Sequence, residues 1–339
     1  MSSFLKPRWP VRFLALGVAV GLAMVAAFAW WALAPIRLHA SPLDFSVKPG
    51  STARTAAVQV RAQGTEISPR LFYWLARITG KGTEIKAGSY EIEAGTSPWD
   101  LLQKMARGDQ SLLAITVPEG WTFAQFVHAL NAAPGLDHDA QGLSGAQIMD
   151  RIGAPPGTPP EGWFFPDTYL YARDSSELAV LRRAYQAMQR QLSGAWAARQ
   201  PGLPLHTPYQ ALILASVVEK ETGLPSDRRK IAAVFLNRLR AGMPLQSDPT
   251  VIYALGSRYS GALTRKNLQV ASSYNTYVNS GLPPTPIALP GDASMQAVLH
   301  PANTRALYFV ARGDGSSVFS DTLGEHNAAV DRYILKRSP

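Results

Sequence analysis

An uninterrupted apolar segment near the N-terminus constrains the fold of this chain more than any other feature. Residues 13–34 read FLALGVAVGLAMVAAFAWWALA, with no charged side chain among 22 positions. A helix of that length spans about 33 Å, which is enough to cross the hydrocarbon core of a bilayer. Basic residues favour the cytoplasmic side of a membrane and Trp favours its interface. Three basic residues precede the segment and two Trp end it: Lys6, Arg8, Arg12, Trp30 and Trp31. The pattern predicts a single transmembrane helix preceded by a cytoplasmic tail, residues 1–12.

A cleaved signal peptide is the alternative explanation, because signal peptides also place basic residues ahead of an apolar stretch. This apolar run is longer than the core of a signal peptide, and its Trp-Trp-Ala-Leu end is a poor cleavage site. The sequence therefore favours a retained anchor, with everything after Pro35 outside the cytoplasm.

The net charge of +9 is compatible with nucleic acid, an anionic lipid surface or an acidic polymer as partner. The basic residues are spread along the chain without a Lys/Arg run, and an exported chain does not meet nucleic acid. We therefore expect no nucleic-acid partner. The chain has no cysteine, which excludes disulfides, thiolate nucleophiles and cysteine-ligated zinc.

A short pattern recurs three times after a predicted linker, residues 35–44. An alternating strand is followed by a glycine and then by a Ser or Thr that can cap a helix, in segments 45–51, 90–97 and 115–122. These units resemble LysM-like glycan-binding modules, although plain α+β packing uses the same residues at the same places. We assign residues 45–118 to a small LysM-like subdomain.

Helices alternate with these strands and continue beyond them. Ser68-Pro69 opens a helix with four apolar residues predicted on one side: Leu71, Trp74, Leu75 and Ile78. Further on, the sequence predicts capping boxes, two long helices and a hairpin: Asp174 with Glu177, Thr322 with Glu325, helices over 208–222 and 227–241, and a turn at Gly313-Asp314-Gly315. The predicted fold class is α+β, with the membrane helix, the LysM-like module and a larger α+β domain, residues 119–339.

The sequence lacks several familiar site motifs. It contains no P-loop, no His-Glu-x-x-His and no Gly-x-Ser-x-Gly. Its six histidines are scattered without metal-ligand spacing. We expect no metal and no cofactor, which leaves carboxylates as the groups that carry chemistry.

Two carboxylates stand at the end of a predicted helix that reads YQALILASVVEKET, residues 209–222. The helix is apolar almost all round for two turns, which indicates burial. Residues i and i+2 lie about 200° apart around a helix, so Glu219 and Glu221 face different surroundings. The stripe leading to Glu221 is wholly apolar: Leu214, Val217 and Val218.

Burial and the helix end both favour the protonated form of Glu221. Gly223 is predicted to cap the helix and Pro225 to prevent its continuation, so Glu221 lies at the negative end of the helix dipole. Desolvation and that dipole raise a carboxyl pKa, and a carboxylic acid protonated near neutral pH is what a glycosidic leaving oxygen requires. The alternative is a solvated helix end with an ordinary ion pair. A stabilising design, however, would place Lys rather than Glu in the final turn.

Hydrolytic glycosidases usually need a second carboxylate. The best candidate is Asp248 in the segment LQSDPT, although Asp before Pro is also a common turn residue. A lytic transglycosylase needs only one, because the C6 hydroxyl of N-acetylmuramic acid attacks C1 of its own sugar while one residue acts as acid and then as base. A lone Glu221 fits that reaction better than hydrolysis.

Three long segments carry a resemblance to a known family: LASVVEKETG, AAVFLNRLRAGMPLQSDPTVIYALG and YNTYVNSGLPPTPIALPG. Together with EGWFFPDTY (161–169) and HPANTRALYFVARGDG (300–315), they closely resemble the YceG-like endolytic murein transglycosylases over nearly the whole chain. The resemblance implies a single-pass inner-membrane protein whose periplasmic domain cleaves MurNAc–GlcNAc bonds in nascent peptidoglycan strands. The products carry 1,6-anhydromuramyl ends, and glycan chains are thereby terminated or trimmed. The resemblance also implies Glu221 as the catalytic residue, with penicillin-binding synthases and the elongation machinery as further partners.

Five further residues beside the family segments are candidates for substrate binding: Gln246, Asp248, Tyr274, Asn275 and Tyr277. They would hold N-acetyl and hydroxyl groups or stack on sugar faces. In the alternative, the Asp and the Asn form turns and the tyrosines pack in the core. Asn237 and Arg238 are weaker candidates for lining the cleft. Four aromatic residues are predicted to be buried: Trp163, Phe164, Phe165 and Tyr169.

Two functions other than catalysis remain open from the sequence. The chain would be a non-catalytic, membrane-anchored peptidoglycan-binding protein if the LysM-like region does the work and the helix end is structural. It would be a membrane-tethered assembly factor if it mainly gathers wall synthases, which is compatible with catalysis.

Overall fold

The structure, a computed structural model, describes residues 9–335, with side chains from residue 14 onward. The predicted cytoplasmic tail therefore lies outside the described residues, apart from the backbone of residues 9–12. The chain divides into two compact units, one of residues 1–113 with 172–174 and the other of residues 114–171 with 175–339.

The first unit combines a long N-terminal helix with a small sheet and shorter helices. Its elements are α1 (Trp9–Leu33), β1 (Leu43–Val47), α2 (Ala53–Ala62), α3 (Pro69–Ile78), β2 (Gly88–Ile92) and α4 (Pro98–Arg107). Strands β1 and β2 are antiparallel, with Phe45 opposite Tyr90. These two rings stack at 5.5 Å and are fully buried, so the sheet and helices close over one apolar core.

Helix α1 contains the predicted apolar segment. Its stretch Leu14–Leu33 has a mean hydropathy of 2.0 and is long and apolar enough to cross a membrane. It therefore fits a single-pass membrane anchor.

The second unit is mainly helical. Its elements, the first of which begins at the end of the first unit, are β3 (Leu112–Thr116), α5 (Phe123–Asn131), β4 (Leu136–Asp137), α6 (Gly145–Ile152), β5 (Thr168–Ala172), β6 (Ser175–Ser176), α7 (Glu177–Ala197), α8 (Pro208–Glu221), α9 (Pro225–Arg240), α10 (Asp248–Leu255), α11 (Asp292–Leu299), β7 (Tyr308–Ala311), β8 (Ser317–Ser320) and α12 (Leu323–Tyr333). Strand β3 pairs with β5, β4 pairs in parallel with β6, and β7 forms the predicted hairpin with β8. The chain thus mixes α and β structure, as predicted.

All three predicted strand–glycine–helix units form. Gly50, Gly95 and Gly120 take positive φ values of 76°, 97° and 78°, a conformation that glycine adopts without steric cost. The N-cap residues of the following helices α2, α4 and α5 are Thr52, Ser97 and Thr122, whose side chains accept from backbone N–H groups. In the first copy the cap is therefore Thr52 and not Ser51, the predicted residue. The third copy of this strand–glycine–helix pattern does not join the β1–β2 sheet, because its strand β3 pairs with β5.

The predicted apolar side of α3 was right for Leu75 and wrong for two of its other members. Trp74 and Ile78 are exposed, at 47% and 69%, whereas Phe72, Leu75 and Ala76 face the core. Both sets of residues repeat at helical spacing, and which of them is buried depends on the α2 and α4 surfaces that α3 meets.

Helix α8 forms the centre of the second unit. Residues 211–218 are all buried, and the helix packs against α7, α9, α10 and α11, which confirms the predicted burial all round. Inside this contact the Ser216 hydroxyl donates to Ile213 O and accepts from Ile287 N at 3.0 Å. A buried backbone N–H of the loop before α11 is thereby paired within the core.

The predicted end of α8 was correct in place and wrong in mechanism. Gly223 does not adopt a positive φ, so it is not a left-handed cap. Instead Thr222 is extended, with φ −148° and ψ 135°, and α9 begins at Pro225. Only three residues separate the two helices, so the direction of the chain after Glu221 is closely restricted.

Of the two capping boxes predicted at Asp174 and Thr322, only the second forms. Thr322 and Glu325 cap α12 reciprocally. Asp174 instead lies at a φ of 60° and Ser176 caps α7, while Glu177 is fully buried with Oε1 2.6 Å from His138 Nδ1. The Glu177 carboxylate, which was predicted to cap the start of α7, contacts His138 instead, a residue distant in the sequence.

The aromatic residues of the 161–169 segment pack in the interior, as predicted. Phe164 and Tyr169 are buried, and Trp163 and Phe165 are partly buried against the α8 core. The Phe164 ring contacts Phe126 of α5 edge-on at 5.9 Å.

The buried face of α3 gives a direct test. Replacing Phe72 by Ala removes a fully buried ring and should lower the free energy of unfolding by about 3–5 kcal/mol. The matched change Trp74→Ala, two residues along the same helix, removes an exposed ring and should cost less than about 1 kcal/mol. Denaturant unfolding of both variants in detergent measures the difference, and similar losses would contradict this packing.

Candidate active site

Three segments of the second unit meet at the end of α8. They are the last turn of α8, the loop 245–248 that leads into α10, and the loop 274–277. Thr276 joins the two loops: its carbonyl accepts from Gln246 N at 3.0 Å, and its hydroxyl accepts from Ser247 N at 3.0 Å. Thr250 Oγ1 lies 2.8 Å from the same hydroxyl. Thr276 and Thr250 are buried, so this polar junction is rigidly held beneath the loop surface.

The carboxylate of Glu221 lies at this junction. Ser247 Oγ donates to Glu221 Oε2 at 2.8 Å, and no other hydrogen bond reaches the side chain from the described residues. Glu221 remains partly accessible to solvent although the preceding turns of α8 are buried. One oxygen is therefore held from within the protein and the other is open to a ligand.

Burial raises the pKa of Glu221 to about 7, from 4.5. The Ser247 hydrogen bond opposes this effect because it stabilises the charged form, the charge of nearby Asp248 raises the pKa, and Arg238 lowers it. The pKa of the carboxyl therefore lies near neutral pH, where a group can give a proton and take one back at comparable cost.

Glu219 has different surroundings, as the helical spacing predicts. Its Oε2 accepts from Gly291 N at 3.0 Å and its Oε1 lies 3.9 Å from Arg228 Nη2. Lys220 does not pair with either glutamate and donates to Gly120 O at 3.2 Å. Glu219 thus holds the start of α11 against α8, and its oxygens are engaged in that contact.

Asp248 and Tyr277 form a pair at the rim. Tyr277 Oη donates to Asp248 Oδ1 at 2.6 Å. Burial and the neighbouring carboxylates raise the pKa of Tyr277, which keeps its hydroxyl protonated. Asp248 is exposed and is the first residue of α10. Both residues are close enough to Glu221 to interact with its charge.

Gln246 is an exposed residue with a strained backbone conformation. Its φ of 51° is unusual for a residue other than glycine and costs about 1–3 kcal/mol. Its Oε1 accepts from Arg238 Nη1 at 3.3 Å. The hydrogen bond from Gln246 N to Thr276 O and the hydrogen bond from Arg238 stabilise this strained conformation.

Arg238 and Asn237 hold backbone rather than line the cleft. The buried Arg238 donates from Nε to Leu307 O at 2.7 Å and from Nη1 to Leu245 O at 2.8 Å. Asn237 Nδ2 donates to Thr304 O and Ala306 O, both at 3.0 Å. The two residues fix the 245–248 loop and the segment before β7 to the end of α9.

Tyr274 and Asn275 belong to the same loop but play different parts. Asn275 is fully buried, with Nδ2 donating to Leu268 O and Val270 O and with Oδ1 accepting from Tyr277 N. It therefore shapes the loop that presents Tyr277. Tyr274 is partly buried, with its ring 4.9 Å from that of Tyr253 and its hydroxyl 2.9 Å from Thr285 Oγ1.

Sequence reasoning missed Ser247, the residue that contacts Glu221 directly. It stands between Gln246 and Asp248, which were both predicted to bind substrate. Serine is common in turns, so a serine at this position does not by itself indicate a functional role. Its position in the same segment as two candidates was the available signal. Among the described residues there is no cluster of three or more His, Asp or Glu side chains with the geometry of a metal site.

Comparison with known proteins places the chain in a family. The model of the YceG-like family matches residues 45–332. A protein of Bacillus subtilis (strain 168) named endolytic murein transglycosylase is 30% identical over 319 residues, which cover 87% of this chain and 86% of the relative. A Streptococcus pneumoniae (strain D39) protein of the same name is 26% identical over 285 residues, 74% of this chain, and this chain spans about half (51%) of its length.

A solved structure supports the same assignment. The crystal structure of a yceG-like protein from Listeria monocytogenes superposes with a TM-score of 0.53 at 28% sequence identity, over 85% of this chain and 98% of that one. The chain belongs to the YceG-like family.

The raised pKa of Glu221 links stability to pH. A carboxyl whose folded pKa of about 7 exceeds its unfolded value of 4.5 stabilises the fold when it is protonated. That stabilisation is complete below pH 4.5 and is lost as the pH rises through 7. Glu221→Gln cannot ionise, so its free energy of unfolding relative to the wild type should rise by up to about 3 kcal/mol between pH 5 and pH 8. Denaturant titrations at both pH values measure this difference, and a pH-independent difference would contradict the raised pKa.

Proposed function

We propose that Glu221 is the catalytic acid and base of a lytic transglycosylase that acts on peptidoglycan. The chain is a peptidoglycan-cleaving transglycosylase, in keeping with its family and with the relatives named endolytic murein transglycosylase. The observation that carries the assignment of the residue is the pKa of about 7 at a partly accessible carboxyl.

The protonated Glu221 first gives its proton to the glycosidic oxygen between MurNAc and GlcNAc. The C1–O bond breaks with its electron pair leaving on that oxygen, and positive charge develops at C1 of MurNAc. The carboxylate then takes the proton of the C6 hydroxyl as that oxygen attacks C1. The product is a 1,6-anhydromuramyl end, no water is consumed, and Glu221 is protonated again for the next cycle.

Ser247 decides which oxygen takes part. Because its hydroxyl donates to Oε2, the exchangeable proton is carried on Oε1, the oxygen without a protein partner. The same hydrogen bond favours the carboxylate after proton transfer. Ser247 thereby orients the acid and moderates the pKa that burial raises.

The rim residues are proposed to bind the sugars. Gln246 and Asp248 offer exposed polar groups, and Tyr277 and Tyr274 offer partly buried rings. Asn275 acts through the loop, because its amide is already bonded within it. Asp248 is not assigned a proton-transfer role, since its carboxylate already accepts from Tyr277.

The first unit is proposed to bind glycan as a LysM-like module. In support, the unit has the strand–glycine–capped-helix pattern and a cavity of about 540 Å³ between the α2 start and the end of α3, lined among others by Thr52, Tyr73 and Arg77. An aromatic ring beside a guanidinium and a hydroxyl suits a sugar. If the whole protein were only such an anchor, the raised pKa of Glu221 would have no role.

Replacing Glu221 by Gln tests the catalytic assignment. Without the acid, release of 1,6-anhydromuramyl ends should fall at least about 100-fold, as measured by mass spectrometry of purified sacculi after digestion. Glu219→Gln is the matched control: it is two residues away on the same helix, makes the same charge change and keeps an oxygen for Gly291 N. It should retain most of the activity.

Two outcomes would reject parts of this assignment. Reducing ends in place of anhydro ends would identify a hydrolase. Unchanged product ends with Glu221→Gln would mean that the end of α8 is structural, as in a non-catalytic peptidoglycan-binding protein.

We also propose that α1 anchors the chain in the inner membrane, with the N-terminus cytoplasmic and the bulk in the periplasm. The basic residues ahead of the apolar segment support this orientation. Wall synthases and the elongation machinery are proposed partners, because they make the nascent strands that the enzyme cuts.

A C-terminal fusion tests the orientation. Alkaline phosphatase, which is active only after export, should be active when joined after Pro339, and green fluorescent protein exported through the same route should be dark. A fluorescent signal from the green fluorescent protein fusion, together with an inactive phosphatase fusion, would mean that the C-terminal part lies in the cytoplasm and would contradict the proposed topology.

A further inference from the structure

The outer end of α1 packs against the other elements of the first unit, β1, β2 and α2–α4 with their loops, which are called the body of the first unit below. Ala32 is buried, and Phe28 and Trp31 pack against the core cluster that includes Phe45 and Leu101. Helix α4 lies against α1. By contrast, large apolar side chains nearer the start of α1 are exposed, with Leu14, Leu22 and Val25 at 65–70%. One face of the last turns therefore contacts protein in place of solvent or lipid.

The segment after α1, predicted as a linker at 35–44, is hydrogen-bonded to neighbouring loops along its length. Ile36 is buried and its N–H donates to Thr96 O at 2.8 Å. Two residues further, Leu38 bridges Thr65, and Ser41 Oγ accepts from Ala94 N at 2.8 Å. The segment is bonded at both ends to loops in the body of the first unit, so α1 and this body move together.

The depth of these contacts follows from the helix geometry. If Arg12 marks the inner edge of the hydrocarbon layer, the outer edge lies roughly 30 Å away, near Ala32. Phe28 is 16 residues after Arg12, or about 24 Å along the helix. The protein atoms that cover Phe28 then lie roughly 6 Å inside the outer edge of that layer.

We propose that the body of the first unit is seated in the outer leaflet of the bilayer, with the Trp99 side of α4 in contact with lipid beside the end of α1. This rests on the proposed membrane crossing of α1. Trp99 stands in the first turn of α4 and is only partly buried, and Trp prefers the membrane interface. Arg37, four residues beyond α1, has Nη1 3.7 Å from Glu66 Oε2 and is 86% exposed, so its guanidinium is also placed to meet lipid phosphates.

The absence of cysteine makes the proposal testable in the full chain, since each introduced cysteine is the single label site. A spin label at Gln103→Cys, one turn after Trp99 on α4, reports the proposed contact without removing the Trp. Val58→Cys on α2, an exposed position, is the comparator in the same body, and Leu22→Cys reports α1 itself. The protein is reconstituted in vesicles of phosphatidylethanolamine with phosphatidylglycerol, and label collisions with oxygen and with a water-soluble nickel complex are compared.

The label at position 103 should collide with oxygen several-fold more, and with the nickel complex several-fold less, than the label at position 58. Inserting eight Gly/Ser residues between Ala34 and Pro35 should abolish this difference, because it detaches the body of the first unit from α1. Equal nickel accessibility at positions 103 and 58 in the uninterrupted chain would overturn the proposal. It would mean that α1 sits further inward and leaves the body of the first unit in water.

The label at Leu22→Cys separates this failure from failure of the anchor. A lipid-exposed label at 22 with a water-exposed label at 103 rejects only the seating of the body of the first unit. A water-exposed label at 22 rejects the membrane crossing itself.

Discussion

The hydrogen bond between Ser247 and Glu221 joins two segments whose positions are set separately, the buried helix α8 and the 245–248 loop. Glu221 ends a helix that is buried on all sides, so its carboxyl leaves the core at a point that the packing of α8 determines. Ser247 belongs to a loop 26 residues further along the chain, and Thr276 holds that loop. A buried acid is useful only if it is desolvated enough to keep its proton and still accessible to a substrate. The rigid α8 core supplies the first condition and the open loops supply the second.

The loops around the acid are fixed by polar contacts beneath their surface. Asn275 is bonded on both sides of its amide within its own loop, and Arg238 spans from Leu245 to Leu307. Gln246 keeps a positive φ between them. Strained backbone positions of this kind persist only where surrounding contacts over-determine them. The groups that we propose to meet the sugar thus occupy fixed positions before any substrate arrives.

Local sequence signals predicted local structure well in this chain. Ser97, Thr122 and Thr322 cap the predicted helices, and the apolar run before Glu221 is a buried helix, because caps and periodicity act within a few residues. The separation of Glu219 from Glu221 also follows from helix geometry alone. These signals were enough to select one carboxylate and to indicate why its pKa is raised.

The predictions that failed depended on partners distant in the sequence. Glu177 pairs with His138 instead of capping α7, and Phe72 rather than Trp74 faces the core because neighbouring helices cover that side. The end of α8 is a local exception, because Thr222 rather than Gly223 leaves the helix, in an extended conformation. Ser247 went unnoticed because only the fold brings it to Glu221. A single sequence does not show which helix and strand surfaces pack against each other in the fold.

The bridge from Arg238 to Leu307 also bears on the order in which the protein is made. Leu307 lies 69 residues after Arg238, and its carbonyl accepts from the same guanidinium that holds Leu245 O. A chain that folds from its N-terminal side therefore forms the α8 helix and Glu221 before this second acceptor is available. The loop that carries Ser247 is fully fixed only when the segment before β7 has packed against α9, so the site is completed late in folding.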